Sequence, residues 1–339
     1  MYLLSERALI NNGEIMEYTK LKSFRWMQVC LVLLLASSLL HAQVKNVRMI
    51  VGFVPGGPID FVARVLSEQL TKEMGVNVIV ENKAGSNAGI AAEYVSRATP
   101  DGNTLFLTST GAVAISQSLY DKLNYDPVRD LTPVSLVVNT AEVLVVSVNN
   151  PANSIAEFLD EVKQRKEGGA LGSSGIGSVP HLAMELFTDA TKANLNHIPY
   201  KGVSPAITDV IAGHVDGLFI DVPVALGFIK SGKLKALAIA APRRHPMLPD
   251  TKTLAEMGLS GVDSNNWYAV YAPKATPIAE VERVGLAIKH ALESDALKTK
   301  LLNSGLEPAP STSGGLAALQ KQDTEKWAKI IRLKNIKGE

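Results

Sequence analysis

Hydrophobic and polar positions alternate along the chain in blocks that predict strands followed by helices. The run 47–66 (VRMIVGFVPGGPIDFVARVL) begins as an apolar strand, passes through a Pro-Gly-Gly turn and continues at helical spacing. The runs 76–80 and 104–110 predict two more strands, with a short helix between them at 90–98. Apolar strands that alternate with helices indicate a parallel sheet covered on both faces.

The second half of the chain repeats this alternation. A short apolar segment leads into the Gly/Ser-rich turn 172–178, and Pro180 suits the first turn of the helix that follows. Further strands are predicted at 196–200, 215–221, 234–241 and 267–273. The predicted fold class is therefore α/β in both halves.

Each glycine-rich turn stands between a strand and the N-terminus of a helix. Such a turn exposes unpaired backbone N–H groups at the positive end of the helix dipole, and glycine lets a ligand approach closely. The two turns together predict the two sides of an anion-binding cleft, the alternative being ordinary strand-to-helix connections. The first turn, Pro55-Gly56-Gly57, offers no nucleophile, base or metal ligand, which favours binding over catalysis.

The common catalytic and nucleotide-binding motifs are absent from the sequence. It contains no G-x-x-x-x-G-K-[ST], G-x-G-x-x-G or H-E-x-x-H, and Ile176 stands where the hydrolase elbow G-x-S-x-G requires glycine. His181 and Glu185 share a helical face, but a surface or cleft-edge pair is favoured over a metal site, and we expect neither a metal nor a cofactor. A nucleophilic set of Ser174, His181 and Asp221 is the alternative, and it would make the protein an exported serine hydrolase.

Length and charge narrow the classes of function. The chain has 339 residues, which suits two domains, and its formal net charge of +1 gives no reason to expect a nucleic-acid partner. The single cysteine, Cys30, lies in an apolar N-terminal run, so the rest of the chain carries no disulfide.

The N-terminus has the pattern of a secretory signal peptide. The apolar run 29–40 is too short for a comfortable transmembrane helix and ends at His41-Ala42. It is preceded by three basic residues, Lys20, Lys22 and Arg25. We predict cleavage of residues 1–42 and export to the periplasm. An uncleaved membrane anchor is the alternative, and the chain starts at either Met1 or Met16.

Taken together, these stretches resemble the extracytoplasmic receptors of tripartite tricarboxylate transporters, often called Bug proteins. The matching segments run in order over almost the whole predicted mature chain: VGFVPGGPIDFVARVLSEQL, VIVENKAGSNAGIAAEYV, TPDGNTLFLTSTG, YDPVRDLTPVSLV, LGSSGIGSVPHLAMELF, HIPYKGVSPAITDVIAGHVDGLFID, SGKLKALAIAAPRR, LPDTKTLAEMG and WYAVYAP. Small departures lie at 251–253 and 267–269, away from the expected site.

The resemblance implies a type II periplasmic-binding-protein fold, with a ligand cleft between two α/β lobes. The chain would cross between the lobes near 145–149 and 238–243. One lobe would then comprise residues 43–146 plus 241–339, and the other 147–240. Closure of the lobes over the ligand is the expected motion.

The resemblance also implies the ligand and the residues that hold it. A small organic carboxylate would be bound by backbone amides, hydroxyls and waters, and handed to a membrane permease by a monomeric receptor. The residues carried over to this chain are Phe53, Gly57, Pro58, Ile59, Asp60, Ser109, Thr110, Ser174, Gly175, Gly177, Ser178, His181 and Asp221. A receptor that presents its ligand to a membrane signalling protein fits the same residues.

Three of these residues have alternative structural roles. Asp60 would cap a helix, Asp221 would cap a strand end, and Phe53 would belong to the core. In the binding role, Phe53 would pack on the carbon skeleton of the ligand. Asp221 would accept a hydrogen bond from an amine or hydroxyl of the ligand and repel a second carboxylate.

Overall fold

The computed structural model describes residues 46–338. The predicted signal peptide, its cleavage site, the start residue and Cys30 lie outside these residues. The strands are β1 (Val47–Val51), β2 (Val78–Asn82), β3 (Thr104–Ser109), β4 (Leu131–Thr140), β5 (Glu142–Ser147), β6 (Gly169–Ser173), β7 (Leu195–Pro199), β8 (Gly217–Asp221), β9 (Leu234–Ile239), β10 (Asn266–Pro273) and β11 (Glu307–Pro308). The helices are α1 (Pro58–Met74), α2 (Gly89–Ser96), α3 (Ser116–Leu119), α4 (Ile155–Gln164), α5 (Val179–Thr191), α6 (Val203–Ala212), α7 (Val222–Lys230), α8 (Ile278–Glu293), α9 (Asp295–Asn303) and α10 (Ser313–Leu333).

Local sequence signals explain where several helices begin and end. Ser154 accepts a hydrogen bond from the backbone N–H of Glu157 and caps α4, as its position predicts. Gly75 and Gly213 adopt left-handed conformations, with φ of 66° and 79°, and end α1 and α6. No helix within residues 46–338 is both long enough and apolar enough to cross a bilayer.

The strands form two sheets, each of mixed direction. The first has the order β11-β4-β10-β3-β1-β2, and the second has the order β7-β6-β8-β5-β9. Within the first sheet β10 runs antiparallel to its neighbours β3 and β4, and within the second β5 runs antiparallel to β8 and β9. The three strands for which the sequence predicts a parallel arrangement, β1, β2 and β3, are parallel to one another, and the sheet is mixed because β10 and β11 run antiparallel to their neighbours. The chain enters β5 from the first sheet and β10 from the second, at the edges that face each other, so both strands must run against their neighbours.

Both faces of each sheet are covered, as the apolar strands predict. Along β1, Met49 and Val51 face a core formed with α1 and α8, whereas Ile50 faces a second core formed with α2 and the start of α10. The second sheet divides in the same way between α4 and α5 on one face and α6 and α7 on the other.

Sheet membership shows that the chain passes between the two sheets at other residues than the predicted lobe crossings. The first crossing lies at Ala141, between β4 and β5, and not at 145–149. Residues 241–262 pack with the second sheet, where Leu254 and Val262 join the core, so the return crossing falls just before Asn266. The sequence 134–147 has no glycine or proline between the two strands, which hides the point where one strand ends and the next begins. The division into two lobes stays a prediction, with these shifted bounds.

Candidate functional site

The predicted binding residues gather at the carboxyl ends of neighbouring parallel strands. In the first sheet, β1 leads into the turn before α1, and the adjacent β3 ends at Ser109. In the second sheet, β6 leads into the Gly/Ser-rich turn before α5, and the adjacent β8 ends at Asp221. Loops at the carboxyl edge of an open α/β sheet are the usual place for a ligand.

The first turn presents backbone N–H groups at the start of a long helix. Gly57 precedes α1 with an extended backbone (φ −80°, ψ 171°), and Pro58 is its first residue. The carbonyl of Gly57 accepts the first helical bond, from the N–H of Phe61, so the N–H groups of Ile59 and Asp60 precede the hydrogen-bonded part of the helix. Pro58 has no N–H and contributes only shape and its carbonyl.

Asp60 shapes this turn from inside. Its carboxylate is 3% exposed, and it accepts hydrogen bonds from the N–H of Gly56 (2.9 Å), from Asn82 Nδ2 (2.8 Å) and from the guanidinium of Arg64 (2.9 and 3.0 Å). Burial raises the pKa of Asp60, but these hydrogen bonds outweigh burial and hold the pKa below its usual value. The Asp60 side chain therefore does not cap α1, as the alternative role would require, but ties the turn to Arg64 and Asn82, which leaves its backbone N–H for a ligand.

Two apolar residues of the first turn pack inward. Ile59 is buried in the core beneath α1, so only its backbone is available at the turn. Phe53 is half-buried and packs against the cores on both faces of the first sheet. The structure thus supports the core role of Phe53, with part of the ring left exposed.

Ser109 and Thr110 lie directly beside β10. Ser109 pairs with Tyr268 across the sheet, and both serine and threonine are buried. The Thr110 hydroxyl donates a hydrogen bond to Asn266 Oδ1 at 2.9 Å. A π-helical turn, Gly111–Ile115, follows immediately. Thr110 therefore orients Asn266, a residue that the sequence analysis did not single out.

The second turn is held by its own hydroxyls. Ser178 caps α5 by accepting from the N–H of His181 (3.4 Å) and donates to the carbonyl of Gly175 (2.7 Å). Gly175 and Gly177 have φ of 137° and 72°, values that residues other than glycine rarely adopt. Ser174 is half-buried on the same turn.

Two stacked histidines support this turn from behind. His181 Nδ1 accepts a hydrogen bond from the N–H of Gly177 at 3.0 Å, and its Nε2 lies 3.6 Å from a carboxylate oxygen of Glu185. The ring of His197 stacks on that of His181, and its Nε2 lies 2.6 Å from the Ser173 hydroxyl. Burial, helped by His181, lowers the pKa of His197 to about 4. His181 is therefore a support of the turn, and both of its ring nitrogens already have partners.

Asp221 connects the two sheets. It belongs to β8 in the second sheet, yet its carboxylate accepts hydrogen bonds from Asn266 Nδ2 and the Tyr268 hydroxyl of the first sheet, both at 3.3 Å. Glu142 stands directly opposite Asp221 on β5 and is fully buried. The carboxyl edges of the two sheets thus face each other across a polar bridge, whose members are Thr110, Asn266, Tyr268, Asp221 and Glu142.

An apolar contact also joins the two halves. Leu119 of α3, Leu182 of α5 and Trp327 of α10 belong to one buried cluster. Gly177 lies so close to Leu119 that a Cβ at position 177 would stand 2.2 Å from a leucine methyl carbon. A surface pocket of about 690 Å³ lies beside Tyr94 and Arg97 and is lined by none of the predicted binding residues, so the site is defined by its loops and not by this pocket.

The arrangement does not assemble the alternative nucleophilic set. Both ring nitrogens of His181 face Gly177 and Glu185, while Asp221 bonds to Asn266 and Tyr268. Ser174 is thus not joined to either through the contacts that these two residues make. Within residues 46–338 no three His, Cys, Asp or Glu side chains converge as a metal site.

Sequence reasoning missed several residues of the bridge and the support. Glu142 could have been noticed, since a carboxylate inside the apolar run EVLVVS is unusual in a buried strand. Asn266, Tyr268, His197 and Ser173 carried no such signal, because their roles depend on contacts between distant segments.

The chain is similar to known proteins over most of its length. The model of the tripartite tricarboxylate transporter family receptor matches residues 62–336. The solved structure of the periplasmic binding protein BugD is similar, with 32% sequence identity and a TM-score of 0.76 over 87% of this chain and 99% of BugD. These findings agree with the fold class inferred from the sequence.

Two similar structures contain ligands. Rpa4515 of R. palustris with adipate is 29% identical, with a TM-score of 0.79 over 86% of this chain and 98% of that protein. MatC (Rpa3494) from Rhodopseudomonas palustris with bound malate is 30% identical, with a TM-score of 0.74 over 84% of this chain and 98% of MatC. Both ligands are dicarboxylates.

Proposed function

Since the chain belongs to the tripartite tricarboxylate transporter receptor family, we propose that it is a periplasmic receptor that binds a small organic carboxylate between its two sheets. The observation that carries this proposal is the pair of glycine-rich turns at facing carboxyl edges. Each turn opens a helix, α1 or α5, at the carboxyl edge of its sheet. The adipate and malate held by the similar receptors support the class of ligand.

The binding mechanism follows from the chemistry of the turns. Backbone N–H groups at Ile59 and Asp60 bind one side of the carboxylate, at the positive end of the α1 dipole. The hydroxyls of Ser109 and Ser174 add donors from the two sides, while Thr110 holds Asn266 in place. Gly57, Gly175 and Gly177 keep this surface free of side chains. Enclosure between the lobes replaces water around the anion with fixed donors.

The remaining roles are proposed on the same basis. The receptor is exported by a signal peptide that is cleaved after Ala42, acts as a monomer and delivers its ligand to membrane permease subunits. It performs no catalysis, which agrees with the structural partners of His181 and Asp221. A serine-directed covalent probe should therefore give no labelling that disappears in Ser174→Ala.

A thermal-shift screen tests the proposal. The purified protein is heated with mono-, di- and tricarboxylates and with neutral sugars as controls. A ligand at 100 times its Kd stabilises the folded state by about 2.7 kcal/mol, which raises the melting temperature measurably. If neutral sugars shift the melting temperature and no carboxylate does, the ligand class is wrong.

A further inference from the structure

Glu142 and Asp221 form a carboxyl pair without a basic partner. They stand opposite each other in the register of β5 and β8. Glu142 is 0% exposed, and neither of its carboxyl oxygens accepts a hydrogen bond. Ion pairs in the described part of the chain involve neither residue. Two buried charges without a cation would be costly, so the pair must share a proton.

The proton belongs to Glu142. Burial, with the neighbouring charge of Asp221, raises the pKa of Glu142 well above its usual value. Burial also raises the pKa of Asp221 to about 6, while hydrogen bonds from Glu142, Asn266 and Tyr268 oppose the rise. Near pH 7, Glu142 is then a neutral acid that donates to Asp221, and Asp221 carries the single negative charge.

Asp221 is the end of the pair that a ligand can reach. It is only partly buried, whereas Glu142 is fully enclosed. Its two hydrogen bonds from the first sheet are long, at 3.3 Å, and a carboxylate can accept about four. The buried Thr140 hydroxyl, which has no hydrogen bond of good geometry, also lies close enough to favour the charged form of Asp221.

Asp221 also stands next to the proposed carboxylate site. It bonds to Asn266, which in turn accepts from Thr110 on the first side of the site. On its own sheet, β8 is the neighbour of β6, whose carboxyl end carries the Gly/Ser-rich turn. A ligand held between the two turns therefore meets a fixed negative charge beside its carbon skeleton.

We propose that Asp221 selects carboxylates that carry a hydrogen-bond donor, above all an ammonium group, and disfavours a second carboxylate at that position. This inference rests on the proposed function. An ammonium group gives a charge-assisted hydrogen bond to Asp221, a hydroxyl gives a neutral one, and a carboxylate is repelled. Glu142 acts as a positioning residue, because its proton keeps the pair at one charge and its hydrogen bond orients Asp221.

Matched ligand series test the inference. At each chain length from three to five carbons, unbranched acids ending in ammonium, hydroxyl, methyl or carboxylate are titrated by calorimetry at pH 8. In the wild type the affinity should fall in that order, with about a tenfold difference between the amino acid and the diacid. In Asp221→Asn the differences in affinity among the four acids should largely disappear, and the diacid should bind more tightly than it does to the wild type. The exposed Asp160→Asn should keep the wild-type order.

The outcomes separate the inference from the proposed function. If the diacid binds the wild type as tightly as the amino acid, or if the order survives in Asp221→Asn, the inference fails and carboxylate binding stands. If no acid of any series binds, and no carboxylate of the thermal-shift screen does either, both fail. If Asp221→Asn does not fold, the wild type is titrated at pH 5 instead. Protonation of Asp221 should then bring the affinities of the amino acid and the hydroxy acid closer together. An unchanged ratio of these two affinities overturns the inference.

Discussion

The imidazole rings of His181 and His197 stack face to face, with centroids 3.6 Å apart and planes only 6° from parallel. Each ring holds a different part of the Gly/Ser-rich turn, His181 through the N–H of Gly177 and His197 through the Ser173 hydroxyl. His181 can accept from Gly177 only while its Nδ1 lacks a proton. The geometry of this side of the site therefore depends on His181 Nδ1 as an acceptor.

The first prediction concerns stability in acid. The pKa of His197 is about 4 in the folded protein and 6.5 when exposed, so the unfolded chain binds a proton that the folded one does not. The stabilisation by neutral His197 is complete above pH 6.5 and is lost as the pH falls towards 4. Allowing for solvent screening, we expect a loss of about 1–2 kcal/mol, measured by urea unfolding at pH 7.5 and pH 4.5.

His197→Gln can keep the contact with Ser173 without titrating, and should lose less stability over this range than the wild type. The exposed His290→Gln is the control and should follow the wild-type curve. Equal slopes for the wild type and His197→Gln would show that His197 titrates normally.

The second prediction concerns the carboxyl pair. The folded pKa of Glu142 lies above its usual 4.5, so its stabilising contribution is complete below pH 4.5 and is lost as the pH rises through the raised value. Glu142→Gln keeps the shape and the hydrogen-bond donor without the titration. At pH 8 we expect Glu142→Gln to have a higher melting temperature than the wild type and a free energy of unfolding that is larger by about 1–3 kcal/mol. At pH 5 the two proteins should be almost equally stable.

Melting curves of both proteins between pH 5 and pH 9 check this. Glu142→Ala loses the donor as well, leaves Asp221 with one fewer hydrogen bond and should be less stable than Glu142→Gln at every pH. If Glu142→Gln is less stable than the wild type at pH 8, a charged Glu142 must be stabilised by its surroundings, and the prediction is wrong.

The third prediction separates binding from folding at the first turn. Gly57 has an extended backbone that valine adopts readily, and a Cβ there would meet nothing closer than 4.0 Å. Gly57→Val should therefore fold with a melting temperature close to that of the wild type. Its side chain would occupy the anion site, so carboxylate affinity should fall at least about tenfold. If Gly57→Val binds carboxylates as tightly as the wild type, the turn does not bind the ligand and only connects β1 to α1.

The fourth prediction concerns the contact between Gly177 and Leu119. Alanine at 177 would adopt a left-handed backbone and place its Cβ 2.2 Å from a Leu119 methyl carbon, so Gly177→Ala should cost about 2–4 kcal/mol. Gly213→Ala has a similar φ, 79° against 72°, but open space around it, and should cost only about 1–2 kcal/mol. Chemical denaturation measures both.

Adding Leu119→Ala to Gly177→Ala should recover part of the loss, because it removes the clash. A purely additive double variant would mean that the two residues are not in contact in solution.

The sequence allowed the α/β class, the family and most element positions to be predicted, because these depend on local patterns such as the apolar run at β1 and the glycine that ends α1. The site was predicted only in outline. Asp60 turned out to be committed to the turn, since its partner Asn82 lies on the neighbouring strand. The bridge from Thr110 through Asn266 to Asp221 joins residues more than 40 positions apart, and no local pattern encodes such pairings.

The place of β10 in the first sheet has a consequence for how the protein is made. This strand lies between β3 and β4, although it is formed by residues 266–273. Until that late segment leaves the ribosome, the first sheet lacks a central strand, while the second sheet already has all five of its own. Assembly of the first sheet must wait for pairing over a long sequence separation, which slows folding. The order of the strands thus makes the first sheet the last part of the fold to be completed.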